Sequence, residues 1–175
     1  MNKKLQEYAA ANGLVCEKEY CYGVFNGYQV SVYQKPLSTM WVIGINANFG
    51  AKLDSVISYL NFHKKDLKIA NAVVGGGGLR ILILDSFGTL KKADAVLRSV
   101  TAYLAQQEID GGGCPYCGEP MQESALVTDN FAKFRAHEQC FNQKLEAAVS
   151  AEAFEKEMPN RYGNGIVGAL IGALV

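Results

Sequence analysis

Residues 20–34 read Tyr-Cys-Tyr-Gly-Val-Phe-Asn-Gly-Tyr-Gln-Val-Ser-Val-Tyr-Gln, and this stretch decides the fold. Aromatic and β-branched residues dominate both halves of it, and such residues favour strands. Asn26-Gly27 lies between the halves and is the strongest short-range signal for a two-residue hairpin. The sequence therefore predicts an antiparallel hairpin in which Tyr20–Phe25 pairs with Tyr28–Gln34.

Three further strands and three helices are predicted around this hairpin. Met40–Ala47 is a strand with alternating apolar residues, and Ile69–Val74 and Leu79–Leu84 form a second hairpin. Glycines 75–78 join the last two strands; because no Lys-Ser/Thr follows them, they predict a turn and not a phosphate-binding loop. Apolar residues at helical spacing predict the helices: Leu5, Tyr8 and Ala9; Leu53, Val56, Ile57 and Leu60; Leu90, Ala93, Leu97, Val100 and Leu104.

The order α-β-β-β-α-β-β-α predicts an α+β domain over residues 1–110, an antiparallel sheet with helices on one face. This order resembles the fold of type III secretion chaperones and related small bacterial α+β domains. The resemblance rests on the order of elements over about the first 108 residues and on no residue motif. It implies an interaction domain that binds segments of other proteins and pairs into a homodimer.

A second module is predicted over residues 111–158, after a run of three glycines at 111–113. Two pairs of metal-ligating residues lie in it, and each pair has two residues between its members. Cys114 and Cys117 form the first pair, with Gly118 directly after it, and His137 and Cys140 form the second. Thiolates and imidazoles in two close pairs are the ligands that Zn²⁺ prefers, so the four residues predict one zinc ion.

The pattern resembles zinc ribbons and treble-clef zinc fingers over roughly residues 114–150. In those modules a knuckle supplies two ligands and the start of a helix supplies two more. Four protein ligands leave no open position for a catalytic water, so the zinc is predicted to be structural. Two alternatives stay open: a metal-free domain with reduced cysteines, and thiol redox chemistry at Cys114 and Cys117. Iron in place of zinc is a third.

The charge distribution argues against nucleic acid as a partner. Seventeen basic and seventeen acidic residues cancel over the 175-residue chain. Residues 1–113 carry 12 Lys/Arg against 9 Asp/Glu, a balance of +3, and residues 114–157 carry 4 against 8, a balance of −4. A nucleic-acid-binding zinc ribbon, the alternative function, is expected to be basic. The leading prediction is a protein-interaction or regulatory region whose protein partner the sequence does not name.

An enzyme is not predicted, because no spacing selects a catalytic set among His63, Asp54, Asp66 and Asp85. The position of His63 near the end of the second helix favours a helix-capping role. Cys16 and Cys21 are interpreted as small buried hydrophobic residues. Five cysteines, three of them at metal-ligand spacing, favour a reducing cytosol over a disulfide scaffold.

The last segment, residues 159–175, predicts a linker followed by an apolar run. Ile166–Val175 has ten residues without a polar side chain, about half of what a membrane-spanning helix needs. Our hypothesis is that this run begins a transmembrane helix, so that residues 1–160 lie on the cytoplasmic side of a membrane. The arrangement is similar to uncharacterised bacterial membrane proteins that join a zinc-ribbon region to glycine- and alanine-rich spans. The alternative is a short helix or strand packed on the core.

Overall fold

A computed structural model of the chain describes residues 3–17, 19–35, 38–75, 78–84, 90–114, 116–121, 126–128 and 134–143. Three complete α-helices and eight strands lie in these ranges, residues 138–143 are also helical, and a 3-10 turn at Gly50–Lys52 leads into the second helix. The helices are α1 (Lys3–Ala11), α2 (Leu53–His63) and α3 (Lys91–Gln106). The strands are β1 (Val15–Glu17), β2 (Tyr20–Phe25), β3 (Tyr28–Gln34), β4 (Met40–Asn46), β5 (Ile69–Gly75), β6 (Gly78–Leu84), β7 (Leu126–Thr128) and β8 (Arg135–His137).

Strands β1 to β6 form one antiparallel sheet in the order β1-β2-β3-β4-β6-β5. The predicted hairpin is confirmed with its bounds: β2 pairs with β3, and Phe25 lies opposite Tyr28. Asn26 and Gly27 have φ angles of 50° and 83°, the positive values that a type I′ turn needs at both central positions. The second predicted hairpin is also present, as β5 paired with β6.

All three helices pack on one face of this sheet, the helix-side face. Residues directly opposite one another on the central strands meet there, as in the row Val32, Ile43 and Ile81. Val56 and Leu60 of α2 and Leu97 of α3 belong to the same buried cluster. Side chains alternate between the faces of a strand, so the apolar residues at every second position all point toward the helices. The α+β class is therefore confirmed.

The outer face of the sheet carries the intervening residues, among them Gln29, Asn46 and Gly78, which form one row across β3, β4 and β6. A separate antiparallel pair, β7–β8, is linked to this face. A Cβ added to Gly78 would meet the ring of Phe134, which directly precedes β8. Helices α1 to α3 and the segment that holds the predicted zinc ligands thus lie on opposite sides of one sheet.

Two details differ from the prediction. A fourth strand, β1, precedes the β2–β3 hairpin, so the predicted order α-β-β-β-α-β-β-α lacks one strand. With only three residues and two of them exposed, β1 offers little hydrophobic periodicity to detect. Ile57 is 40% exposed, although it belongs to the predicted apolar stripe of α2. The predicted homodimer and the chaperone resemblance stay predictions.

Candidate metal centre

The first ligand pair lies in a tight turn closed by two backbone hydrogen bonds. The Cys114 N–H donates to the Glu119 carbonyl oxygen at 2.8 Å, and the Gly118 N–H donates to the Cys114 carbonyl oxygen at 2.8 Å. Gly118 has a φ angle of 77°, which glycine adopts at little cost and other residues rarely adopt. This turn folds the chain back so that the Cys114 and Cys117 sulfurs lie close together.

The second pair lies where a strand passes into a helix. His137 is the last residue of β8, opposite Leu126 of β7, and residues 138–143 that follow are helical. Cys140 therefore lies in the first turn of this helix, close to the imidazole in space. Of the second pair, predicted to stand at the beginning of a helix, the structure thus places Cys140 in the helix and His137 at the end of the strand before it.

The structure brings all four predicted ligands together. The Sγ atoms of Cys114, Cys117 and Cys140 and a ring nitrogen of His137 all lie within 4.8 Å of one another. The Cys117 Sγ is 3.5 Å from the His137 Nδ1. A tetrahedral zinc ion with bonds of about 2.3 Å to sulfur and about 2.0 Å to nitrogen separates its ligand atoms by roughly 3.5–3.8 Å. The Cys117–His137 distance has that spacing, and the four residues together could hold a metal ion.

The hydrogen bond of His137 selects the nitrogen that faces the sulfurs. His137 Nε2 lies 3.1 Å from the Pro120 carbonyl oxygen. Since a carbonyl oxygen only accepts, Nε2 carries the proton and donates it, and the neutral ring keeps the lone pair on Nδ1. Metal-binding histidines are commonly oriented in this way, with the second ring nitrogen donating to a carbonyl.

The Cys114 and Cys117 sulfurs lie close enough to Cys140 to change the pKa of its thiol. Loss of solvation, together with the nearby Cys117 and Cys114 sulfurs, raises the pKa of Cys140 to about 11. Thiolates placed this close repel, and a divalent cation between them would remove that repulsion. All five cysteines of the chain are free thiols in the structure, so no disulfide competes for these sulfurs.

Side chains of the sheet hold the cluster's backbone in place. The Asn46 side-chain amide donates to the Gly113 carbonyl oxygen at 2.6 Å and to that of Gly112 at 3.3 Å, directly before Cys114. The Gln29 side chain accepts from the Arg135 N–H at 2.5 Å, two residues before His137. Each half of the cluster is thus bonded to a strand of the main sheet.

These supporting residues were missed by the sequence prediction. Phe134 and Ala136 alternate with Arg135 before His137 and are both fully buried, a period-2 pattern that could have indicated the short strand β8. Asn46 is a polar residue at the end of an apolar strand. No sequence signal pairs Asn46 with Gly112 and Gly113, which follow it by 66 and 67 positions, because that contact depends on the tertiary fold.

Among the described residues, His63, Asp54 and Asp66 form no cluster that could hold a metal ion. Asp54 and Asp66 are exposed, and Asp85 lies outside the described residues. The His63 ring packs against aromatic rings, 4.5 Å from Tyr59 and 4.9 Å from Phe62 between centroids.

No family model matches this chain, and no curated protein or solved structure is similar to it. Among the described residues, no helix is both long and apolar enough to cross a membrane. The predicted apolar segment Ile166–Val175 lies outside the described residues.

Proposed function

We propose that Cys114, Cys117, His137 and Cys140 bind one structural Zn²⁺ ion. The observation that carries this proposal is the convergence of three sulfurs and an imidazole nitrogen within 4.8 Å. Three cysteines and one histidine form a complete tetrahedral shell, so no coordination position remains for a substrate or a catalytic water. Zinc is favoured over the hard cations because thiolate is a soft ligand.

The zinc joins two parts of the chain that are each hydrogen-bonded separately to the main sheet. The knuckle contributes Cys114 and Cys117, and the β8–helix junction contributes the other two ligands. This arrangement supports a zinc-ribbon or treble-clef module over residues 111–158, following an α+β domain over residues 1–110. A structural zinc in such a short segment contributes folding free energy directly, because the unfolded chain offers no assembled site.

The function that fits this architecture best is a non-enzymatic protein-interaction or regulatory region. The coordination shell is closed, and in the described part of the chain Asp54, Asp66 and His63 form no comparable cluster. The acidic balance of −4 over residues 114–157 is unfavourable for binding phosphates. Attachment to the cytoplasmic side of a membrane through Ile166–Val175 and pairing into a homodimer remain parts of this proposal.

Elemental analysis of purified protein tests the zinc site. We expect one equivalent of zinc in the natural protein and none in Cys117→Ser, because a hydroxyl is a poor zinc ligand. Cys16→Ser is the matched control, since it makes the same change in β1, away from the cluster, and should retain one equivalent. Equal zinc content in all three proteins would contradict the assignment of these ligands.

Affinity capture from a native extract tests the interaction role. The zinc-loaded protein is expected to capture a partner that Cys117→Ser captures less well. Zinc-dependent binding to DNA or RNA that weakens with salt would instead support the nucleic-acid alternative. Recovery of no partner would count against the interaction role while leaving the zinc site intact.

A further inference from the structure

The β1–β2 hairpin places two cysteines that take no part in the metal centre directly opposite one another. Cys16 of β1 pairs with Cys21 of β2 in the antiparallel register, between the pairs Val15–Tyr22 and Glu17–Tyr20. Residues that face each other across antiparallel strands project to the same side of the sheet. Both thiols therefore point to the helix-side face, where Cys21 is part of the buried cluster and Cys16 packs against it.

The spacing of an antiparallel pair matches the reach of a disulfide. Cα atoms of directly opposed residues are about 4.5 Å or about 5.5 Å apart, depending on the hydrogen-bonding type of the pair. A disulfide spans Cα separations of roughly 4.4–6.8 Å. The two cysteines thus need side-chain rotation and little backbone movement to become bonded.

The thiols of Cys16 and Cys21 differ in their exposure to solvent. Cys21 is fully buried, whereas Cys16 is half-buried in the exposed three-residue strand at the edge of the sheet. Burial raises the pKa of both thiols, that of Cys21 to about 12, to which the proximity of Cys16 contributes. Cys16 is therefore the thiol that a soluble reagent reaches, and Cys21 is the one that reacts afterwards from the interior.

We propose that Cys16 and Cys21 form a reversible disulfide by exchange with an oxidised low-molecular-weight disulfide such as oxidised glutathione. The Cys16 thiolate attacks one sulfur of the reagent; its S–S bond breaks and one glutathione thiolate leaves. Cys21 then loses its proton to solvent, and its thiolate attacks the Cys16 sulfur of the mixed disulfide, which releases the second glutathione. Two protein thiols are oxidised to one disulfide, and the reagent is reduced to two thiols.

The new bond would fix the edge strand β1 to the rest of the sheet. Among the strands that the structure describes, β1 is the last on its side of the sheet, and its partner is β2 over three residues. A covalent cross-link across this pair reduces local opening, so amide exchange in Val15–Glu17 should slow on the order of tenfold. This site is separate from the proposed zinc function, and either can fail without the other.

Peptide mapping of the zinc-loaded protein in a glutathione redox buffer tests the proposal, because bound zinc protects the other three cysteines. Trypsin cleaves after Lys18, between the two cysteines, so the disulfide joins peptides 5–18 and 19–52. We expect this linked pair under oxidising conditions and its loss on adding dithiothreitol. Cys21→Ala should instead accumulate a glutathione adduct on Cys16, and Cys16→Ala should show neither adduct nor linked pair.

Two results would overturn the proposal. One is persistence of both thiols in natural protein under conditions where Cys21→Ala is fully modified at Cys16. The other is a linked pair that joins Cys16 only to a cysteine of the metal centre. Both variants replace a thiol by a smaller apolar group. Amide exchange in the β2–β3 hairpin shows whether each variant keeps the native fold.

Discussion

The two faces of the main sheet are held in different ways. On the helix-side face, 26 buried residues from three helices and the central strands form one continuous cluster. On the outer side, the described residues add only five buried apolar ones: Tyr22, Val42, Cys114, Phe134 and Ala136. Burial of apolar surface is sufficient to hold the first region, whereas the second relies on polar contacts and, as we propose, on a metal ion.

The contrast between the two faces shows that a small segment depends on a cross-link for its stability. A short segment buries too little apolar surface to offset the loss of chain entropy on folding. Binding of a metal by four ligands ties distant residues together, and binding and folding then share one free energy. The zinc-ligand segment should accordingly be the part whose stability depends on metal, while the helix-side region should be independent of it.

Metal removal should have the largest effect and should be confined to one region. A chelator that strips the ion should abolish amide-exchange protection at Val127 and Ala136, which pair in the β7–β8 hairpin. Protection at Ile43 and Ile81 in the central sheet should be retained. Equal loss in both regions would mean that the two form a single cooperative unit.

Truncation of one buried side chain on each side should separate stability from metal affinity. Phe134→Ala should destabilise by about 3–5 kcal/mol and Leu97→Ala by about 2–5 kcal/mol, because both side chains are fully buried. Only Phe134→Ala should also weaken zinc binding, by roughly tenfold or more, since Phe134 precedes the strand that carries His137. Competition titration with a chromophoric chelator measures the affinity. Equal weakening by Leu97→Ala would contradict the separation.

Loss of the Asn46 side chain should have a smaller effect. Asn46→Ala leaves the Gly112 and Gly113 carbonyl oxygens without their donor and should cost about 1–3 kcal/mol. Asn61→Ala is the matched control because Asn61 is exposed on α2. Urea unfolding measures both values. A near-zero cost for Asn46→Ala would show that these hydrogen bonds do not attach the zinc segment to β4.

The smallest effect is expected at the surface of α1. Glu7→Ala removes an ion pair in which Lys3 Nζ and Glu7 Oε1 are 3.8 Å apart, with both side chains mostly exposed. Such pairs contribute less than about 0.5 kcal/mol, so thermal unfolding should shift by only a degree or two. A change in stability as large as that of Asn46→Ala would mean that this surface ion pair stabilises the fold as much as the Asn46 hydrogen bonds do.

Much of the helix-side region could be predicted from the sequence, because its signals are local and repeated. The Asn26-Gly27 turn gave both strand bounds, and the spacing of Leu97, Val100 and Leu104 gave the buried face of α3. The strand β1 was missed because its pairing with β2 is not visible in three residues.

The four-residue cluster could also be predicted, since ligand type and spacing together are specific for metal binding. The contacts that position this cluster could not be predicted from the sequence. The contacts of Asn46 with Gly113 and of Gln29 with Arg135 join residues 67 and 106 positions apart. Only the tertiary fold determines which of the chain's many polar residues meet in this way.

X-ray absorption at the zinc edge of the purified protein measures the ligand shell of the proposed zinc ion directly. We expect three sulfur ligands at about 2.3 Å and one nitrogen ligand at about 2.0–2.1 Å. A shell made only of oxygen and nitrogen ligands, or a protein that binds no zinc at all, would contradict the proposed zinc site.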